Sequence, residues 1–264
     1  MTAPKSKIRV VMPDSHGNHI DPDAKAAFLR DVKSLDPDEI VGLGDHLDCG
    51  GTFNTHQRNY TKEFCESYED DVEAANDLFD QLQKNAPRAR IYYIEGNHEA
   101  HVERWASRTF ASHKDAVGLL EKYGPEAVLK LKSRGISYHK RSEFYQGLSI
   151  PGTIKIGRCF FTHGISFAKN AAQVHLQRFG APVVFGHVHR SQSVVERSVV
   201  SDGYGAWCPG TLARLQALYL HTAPSSWSHG FGLQFVNASG QFLHVQVPIH
   251  KGRSLLMDVA RRLA

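Results

Sequence analysis

Ile91-Tyr92-Tyr93-Ile94-Glu95-Gly96-Asn97-His98-Glu99 is the stretch that most restricts how this chain can fold. A short β-rich run ends on a glycine, and an amide, an imidazole and a carboxylate follow at once. Strand ends that break into tight turns lift side chains off the sheet edge, which is where α/β proteins place chemistry. Gly-Asn-His-Glu alone would read as a polar turn. Four further clusters have the same make-up, namely Asp14-Ser15-His16-Gly17, Gly44-Asp45-His46-Leu47-Asp48, Thr162-His163-Gly164 and Gly186-His187-Val188-His189. Five such clusters in one chain predict strand ends that converge on a single dinuclear metal centre.

The segments between the clusters support that geometry. Ile8 to Met12 reads as a buried strand stopped by Pro13. Asp21-Pro22 opens a helix to about Leu35, with the aspartate as cap and the proline in the first turn. Glu39 to Leu43 is a second strand. Strand, helix and strand form a βαβ unit whose handedness puts both strand C-termini on one edge, so Asp14 and Asp45 emerge side by side. A loop from Cys49 to Tyr60 leads to a helix capped by Thr61 and running to about Asn85. Phe64, Tyr68, Val72, Ala75, Leu78, Phe79 and Leu82 lie on its apolar stripe. Its carboxylates (Glu63, Glu66, Glu69, Asp70, Asp71, Glu73, Asp77 and Asp80) read as a solvated face.

Residues 101–134 look helical, in two or three pieces broken near Gly118 and Gly124-Pro125. No cluster falls there, so the stretch reads as an insertion or cap beside the site. After Gly135, β-rich runs at 136–139, 144–150 and 154–161 suggest a mixed or antiparallel second sheet. A helix over 168–179, closed by Gly180, precedes a strand at 182–185 that delivers Gly186 to His189. Further strands are expected at 194–200, 231–236 and 242–247. With no internal repeat or linker, residues 1–264 read as one domain with a helical insertion or cap near 100–134.

Apolar content of 41% and charged content of 22% are ordinary for a globular protein. The net charge of +4 suits an anionic substrate and falls short of a nucleic-acid-binding signature. The four cysteines, Cys49, Cys65, Cys159 and Cys208, form no Cys-x-x-Cys pair and read as reduced thiols. Ile8 to Met12 is too short for a signal-peptide core, and no apolar run approaches a membrane span. A cytoplasmic protein without a membrane partner is the expectation.

In their order and at these strand ends, the five clusters resemble the motifs of the calcineurin-like metallophosphoesterase superfamily, in its small bacterial, archaeal and phage forms. Those motifs are Asp-x-His, Gly-Asp-x-x-Asp, Gly-Asn-His-Glu/Asp, a His followed by Gly, and Gly-His-x-His. The resemblance implies an α/β fold, a four-layer αββα sandwich of two mixed β-sheets flanked by helices. It implies two divalent ions, with Asp14, His16 and His189 serving the first, Asn97, His163 and His187 the second, and Asp45 bridging. Two ions roughly 3.5–4 Å apart need such a bridge, and a carboxylate with two oxygens can provide one. Mixed imidazole and carboxylate ligation suits Mn, Fe, Zn or Co, with Mn²⁺ the expected activator in vitro.

By the same resemblance a hydroxide is the second bridge and attacks phosphorus in line, because metal binding brings the pKa of water toward about 7. Asn97 and His98 then belong to the substrate side. His98 would assist the leaving oxygen, worth about a hundred- to ten-thousand-fold, while Asp48 orients it. The implied activity is hydrolysis of phosphodiester or phosphomonoester bonds in a phosphate-ester or nucleotide substrate.

One departure bears on the substrate. Protein phosphatases of the superfamily carry an arginine immediately after the second aspartate of Gly-Asp-x-x-Asp, where it grips phosphate. Here that position is Cys49, followed by Gly50-Gly51. The missing guanidinium clamp speaks against a protein Ser/Thr phosphatase. The small glycines should leave room for a second ester arm. A DNA-repair-type nuclease is the nearest enzymatic alternative, and a non-catalytic scaffold the alternative of another class.

Other residues carry weaker signals. His46 reads as loop-lining rather than a ligand. Asn54 and His56 lie in the loop after Asp48, where exposure explains them equally well. Arg104 and Arg108 could meet a phosphate, although a solvated helix face fits them better. Cys208 to Leu212 reads as an ordinary Pro-Gly turn. The basic run Lys130, Lys132, Arg134, Lys140 and Arg141 leaves nucleic acid open as a partner, although such residues usually only solubilise a surface.

Overall fold

Alternate residues along a strand face opposite sides of its sheet, so an apolar residue at every position marks a strand covered on both faces. Val10, Val11 and Met12 have that pattern, and each is fully buried. The computed structural model describes residues 6–50, 53, 67–198, 201–216, 225–256 and 259. In chain order it begins with β1 (Lys7–Met12), α1 (Pro22–Leu35), β2 (Glu39–Gly42), α2 (Tyr68–Asn85) and β3 (Arg90–Ile94). Three helices follow, α3 (Ala100–Thr109), α4 (His113–Tyr123) and α5 (Pro125–Val128), then β4 (Ser137–His139). Next come β5 (Thr153–Ile156), β6 (Cys159–Thr162), α6 (Ala171–Phe179) and β7 (Val183–Phe185). The last strands are β8 (Gln192–Ser198), β9 (Ser201–Cys208), β10 (Gly230–Val236), β11 (Phe242–His250) and β12 (Arg253–Ser254).

These strands form two mixed sheets. The first runs β12-β11-β10-β1-β2-β3-β4, with β1 to β4 parallel and β10 antiparallel to β1. The second runs β5-β6-β7-β9-β8, with β6, β7 and β9 parallel. Period-two alternation then sorts the core into three layers. Val10, Met12 and Ile40 pack with Phe28, Leu78 and Phe79 of α1 and α2. Val11, Val41, Leu43 and Ile94 face the other way and meet Ile154, Phe161 and Val184 of the second sheet. Val183, Phe185 and Ala206 pack under Ala171, Ala172 and Leu176 of α6. Helices, sheet, sheet and helix make the expected αββα sandwich. Among the described residues, no helix is long and apolar enough to cross a membrane.

Local chemistry explains where elements start. Asp21 caps α1 by accepting from the backbone N–H groups of Asp23 and Ala24, ahead of Pro22 in the first turn. Ser67 caps α2 by accepting from the N–H of Asp70. The expected start at Thr61 lies outside the described residues, as do Asn54, His56, Glu63, Phe64, Cys65 and Glu66.

Several expectations need correction. Gly118 does not break the helical stretch; it lies inside α4, where a Cβ would meet nothing within 4 Å. A solvated glycine weakens a helix by about 1 kcal/mol without ending it. The break falls at residues 110–112 instead. Residues 144–150 form turns rather than a strand, because Gln146 and Gly147 take φ of 53° and 70° in succession. The run at 154–161 is a hairpin, turned at Gly157 with φ 65°. β4, expected in the second sheet, extends the first, which also takes in β10 to β12. β9, with Asp202, Gly203 and Gly205, escapes a propensity reading because these residues are depleted in strands.

Candidate metal centre

The C-terminal ends of parallel strands from both sheets meet at one seam. β1 delivers Asp14 and His16, β2 delivers Asp45 and Asp48, and β3 delivers Asn97 and His98. From the second sheet, β6 delivers His163 and β7 delivers His187 and His189. The chain leaves the strands sharply. His16, Asp45, His187 and His189 take φ of 52°, 51°, 71° and 56°. Left-handed backbone costs a non-glycine residue about 1–2 kcal/mol. The turns also need glycine for close approach, since a Cβ on Gly96 would sit 2.0 Å from Asp45 Oδ1.

The expected ligands gather in two groups. In the first, His189 Nε2 lies 3.1 Å from Asp14 Oδ2 and 3.0 Å from His16 Nε2. In the second, His163 Nε2 lies 2.9 Å from Asn97 Oδ1, 3.2 Å from His187 Nδ1 and 3.2 Å from Asp45 Oδ2. The same Asp45 oxygen is 3.9 Å from His16 Nε2, so it reaches toward both groups. A further grouping of possible ligand atoms joins His98 to His16 and Asp45.

Hydrogen-bond chemistry tests whether such residues fit cations. His163 Nδ1 lies 2.8 Å from the carbonyl of Leu43, which can only accept, so its proton sits on Nδ1. Nε2 then carries a lone pair, aimed at the oxygens of Asn97 and Asp45. His16 repeats the arrangement: Nδ1 donates to Asp48 Oδ1 at 2.9 Å, leaving the Nε2 lone pair toward His189. At His163, a lone pair facing acceptor oxygens in a buried site is repelled unless a cation or an extra proton lies between them. The donor set fits divalent ions of the Mn, Fe, Zn or Co type.

Without ions, protons redistribute in the same sense. Burial opposes charge on His163, but Asp45 outweighs it and raises its pKa. Burial, and then the charge of His163, push His187 down to about 4. Burial would raise Asp45, yet His163 and His98 hold it well below the usual carboxylate range.

His98 stands at the edge of these groups. Its Nδ1 lies 2.8 Å from the Asp48 carbonyl and 3.2 Å from Asp48 Oδ1. Its ring stacks on His101 with centroids 5.2 Å apart. Burial disfavours its charge, but Asp45 and Asp48 outweigh burial and lift its pKa well above the ordinary value. Asp48 therefore serves two rings: its backbone carbonyl holds His98, and its carboxylate is closest to His16.

Two buried carboxylates fix the loop after β2, and sequence reasoning missed the task of each. Glu99 accepts from the N–H groups of Asp45, His46, Leu47 and Gly96, and from the Tyr93 hydroxyl. Asp71 accepts from the N–H groups of Asp48 and Cys49. Asp71 thus belongs to the buried face of α2, not to a solvated one. Its spacing was the available signal, because Tyr68, Asp71, Ala75, Leu78 and Leu82 share one helical stripe.

Glu99→Gln is expected to cost about 3 kcal/mol, because the new amide opposes N–H donors that the carboxylate accepted. Thermal denaturation should show Tm falling by about 10 °C. An unchanged Tm would mean that the loop holds itself.

His46 does not line the loop; its ring is buried against Phe79 and Tyr93, with Nδ1 3.0 Å from Ser15 Oγ. Cys49, where the clamp arginine is missing, packs into the core under α2. Gly50 is buried and Gly51 lies outside the described residues. The turn at 208–212 does more than reverse the chain, since Thr211 Oγ1 and Leu212 N both donate to the Asp14 carbonyl. Arg104 and Arg108 are both exposed, and Arg104 donates to the carbonyl of Asn97. Trp227 sets its ring against His189, centroids 4.2 Å apart.

The chain is similar to known proteins. The profile described as calcineurin-like phosphoesterase matches residues 10–191. A "Gene 54 protein" of Mycobacterium phage D29 is 28% identical, covering 94% of this chain and 96% of the phage protein. Its namesake in Mycobacterium phage L5 is 26% identical with the same coverage. Among solved structures, Vacuolar Protein Sorting 29 from Cryptosporidium parvum superposes with a TM-score of 0.48 at 12% identity, covering 95% of each chain. YfcE, a phosphoesterase from E. coli, gives a TM-score of 0.39 at 14% identity, covering 90% of this chain and 98% of its own.

Proposed function

The chain belongs to the calcineurin-like phosphoesterase family, and from that premise we propose that it is a dinuclear metal-dependent phosphoesterase. It acts on phosphodiester and phosphomonoester bonds of small esters or nucleotides. The observation that supports this reading is the imidazole lone pair of His163, which faces the oxygens of Asn97 and Asp45 inside a buried site. Asp14, His16 and His189 would hold one divalent ion and Asn97, His163 and His187 the other, with Asp45 shared. Mn²⁺ is the activator expected in vitro, with Fe, Zn and Co as alternatives. Ions held there would supply Lewis acidity toward phosphoryl oxygens and a lowered pKa for water.

The chain's own residues would then handle orientation and the proton. His98 Nδ1 is tied to the Asp48 carbonyl, which leaves Nε2 to carry a proton toward the leaving oxygen. The Asp48 and Asp45 carboxylates favour the imidazolium that this requires. Asn97 would hold the phosphoryl group from the same turn. Residues 1–264 are read as one unit, with the helices of 100–134 as a cap beside the site. Cys49, Cys159 and Cys208 are free thiols, in keeping with the reducing cytoplasm expected for the protein.

The test is a Mn²⁺-loaded panel of bis(p-nitrophenyl) phosphate, p-nitrophenyl phosphate, cyclic nucleotides, a phosphopeptide, and single- and double-stranded DNA. The diester should be cleaved at least as well as the monoester, and a chelator should abolish both activities. A protein holding two ions per chain that cleaves none of these overturns the reading. Activity confined to the phosphopeptide would refute the inference from Cys49. Processive DNA degradation would favour the repair-nuclease alternative.

A further inference from the structure

Two guanidinium groups flank the Asn97, His163 and His187 half of the site and take no part in the chemistry proposed for it. Arg104, on α3, donates from Nη2 to the Asn97 carbonyl at 2.8 Å and from Nε to the Ala100 carbonyl at 3.3 Å. Arg141, in the segment after β4, donates from Nη2 to the carbonyl of Gly164, the neighbour of His163, at 3.5 Å. Elements distant in sequence thus bring both cations to the same side of the centre.

Nothing described neutralises them. After burial, what most lowers the proton affinity of Arg104 is the charge of Arg141 and then of Arg108, one helical turn away. The carboxylates that act on it are Asp45 and Glu95, and both are engaged. Asp45 accepts from the His98 N–H and faces His163. Glu95 accepts from the Tyr138 hydroxyl at 2.6 Å and the Arg141 N–H at 2.7 Å. The second of these bonds pins the segment that carries Arg141. Among the described residues, neither Arg104 nor Arg141 has a carboxylate partner. Like charges a turn apart destabilise a helix. Each guanidinium has five N–H donors, and the carbonyls occupy two on Arg104 and one on Arg141. Arg104 is exposed and Arg141 half-buried, so their remaining donors are open to an anion from solution.

Resting on the phosphoesterase reading, we propose that Arg104 and Arg141 form a subsite for a second phosphate of the substrate, beside the scissile one. The substrate class is then a nucleotide, or another ester, that carries two phosphates. Cationic recognition comes from α3 and the segment after β4, in place of the arginine missing after Asp48.

Two synthetic substrates isolate the second phosphate. One is the p-nitrophenyl ester of thymidine 5′-phosphate; the other is the same ester with an added 3′-phosphate. The wild-type protein should show a KM about tenfold lower for the second, the scale of one charge-assisted contact. The ratio should shrink as salt rises. Arg104→Ala and Arg141→Ala should each move it toward one, and the lysine variants should restore it in part. Arg178→Ala, on the exposed face of α6, should leave the ratio intact.

Calorimetry supplies a readout that needs no turnover. Metal-stripped wild-type protein should bind thymidine 3′,5′-bisphosphate more tightly than thymidine 5′-phosphate. The Arg104→Ala/Arg141→Ala double variant should bind them alike. Equal affinities in the wild type, or a gap that survives both substitutions, overturns the subsite. A gap without hydrolysis of either ester leaves the subsite standing and refutes the phosphoesterase reading. Hydrolysis of both without a gap does the reverse.

Discussion

Asp45→Asn is expected to lose bound metal and turnover together. Asp45 Oδ1 accepts the His98 N–H at 2.9 Å, so the oxygen of an asparagine stays there and the amide nitrogen takes the Oδ2 position. That position faces His163 Nε2 at 3.2 Å and His16 Nε2 at 3.9 Å. A negative oxygen shared by both groups becomes a neutral donor. Metal analysis should fall from two ions per chain toward one or none. Turnover of bis(p-nitrophenyl) phosphate should drop by about a thousandfold or more, equivalent to about 4 kcal/mol of lost transition-state stabilisation. A variant that retained both ions at wild-type affinity would remove Asp45 from the bridging role.

His98→Ala should behave differently. The Nδ1 of His98 is committed to Asp48, and its Nε2 stands 4.0 Å from Asp45 Oδ2, farther than His163 does. Both ions should remain bound in the variant. Turnover should fall by about a hundred- to ten-thousand-fold on alkyl esters and much less on p-nitrophenyl esters, whose acidic phenol leaves without a proton. A leaving-group series for the wild type and the variant reads this directly. Equal losses across the series, or stripped metal, would place His98 among the ligands, where its proximity to His16 and Asp45 also permits it.

The candidate site was legible in the sequence because each cluster is local: a strand end, its glycine and its polar residues lie within a few positions. The βαβ logic then set Asp14 beside Asp45 without knowledge of the rest. What escaped depended on distant partners. β4 and β10 read as strands, but hydrogen bonding across the chain decides which sheet receives them. Glu99 stood in view within its cluster, yet its role rests on N–H groups of the loop after β2, some fifty residues earlier. Asp71 was legible by helical spacing and was masked by the acids around it. Arg141 stood out only as part of a basic run, since the fold alone brings it to Gly164.

The expected ligands draw on both sheets. Asp14, His16, Asp45 and Asn97 ride on the first, and His163, His187 and His189 on the second. Side chains such as Val11, Leu43, Phe161 and Val184 set the spacing between those sheets. The core between them is therefore a gauge block for the centre. A methyl group added or removed in that layer slides one set of donors past the other, and reactive geometry tolerates only about 0.5 Å of such drift. If the site holds ions as proposed, metal preference would be tuned from residues that never touch them, by the thickness of the apolar layer that separates the two halves of the grip.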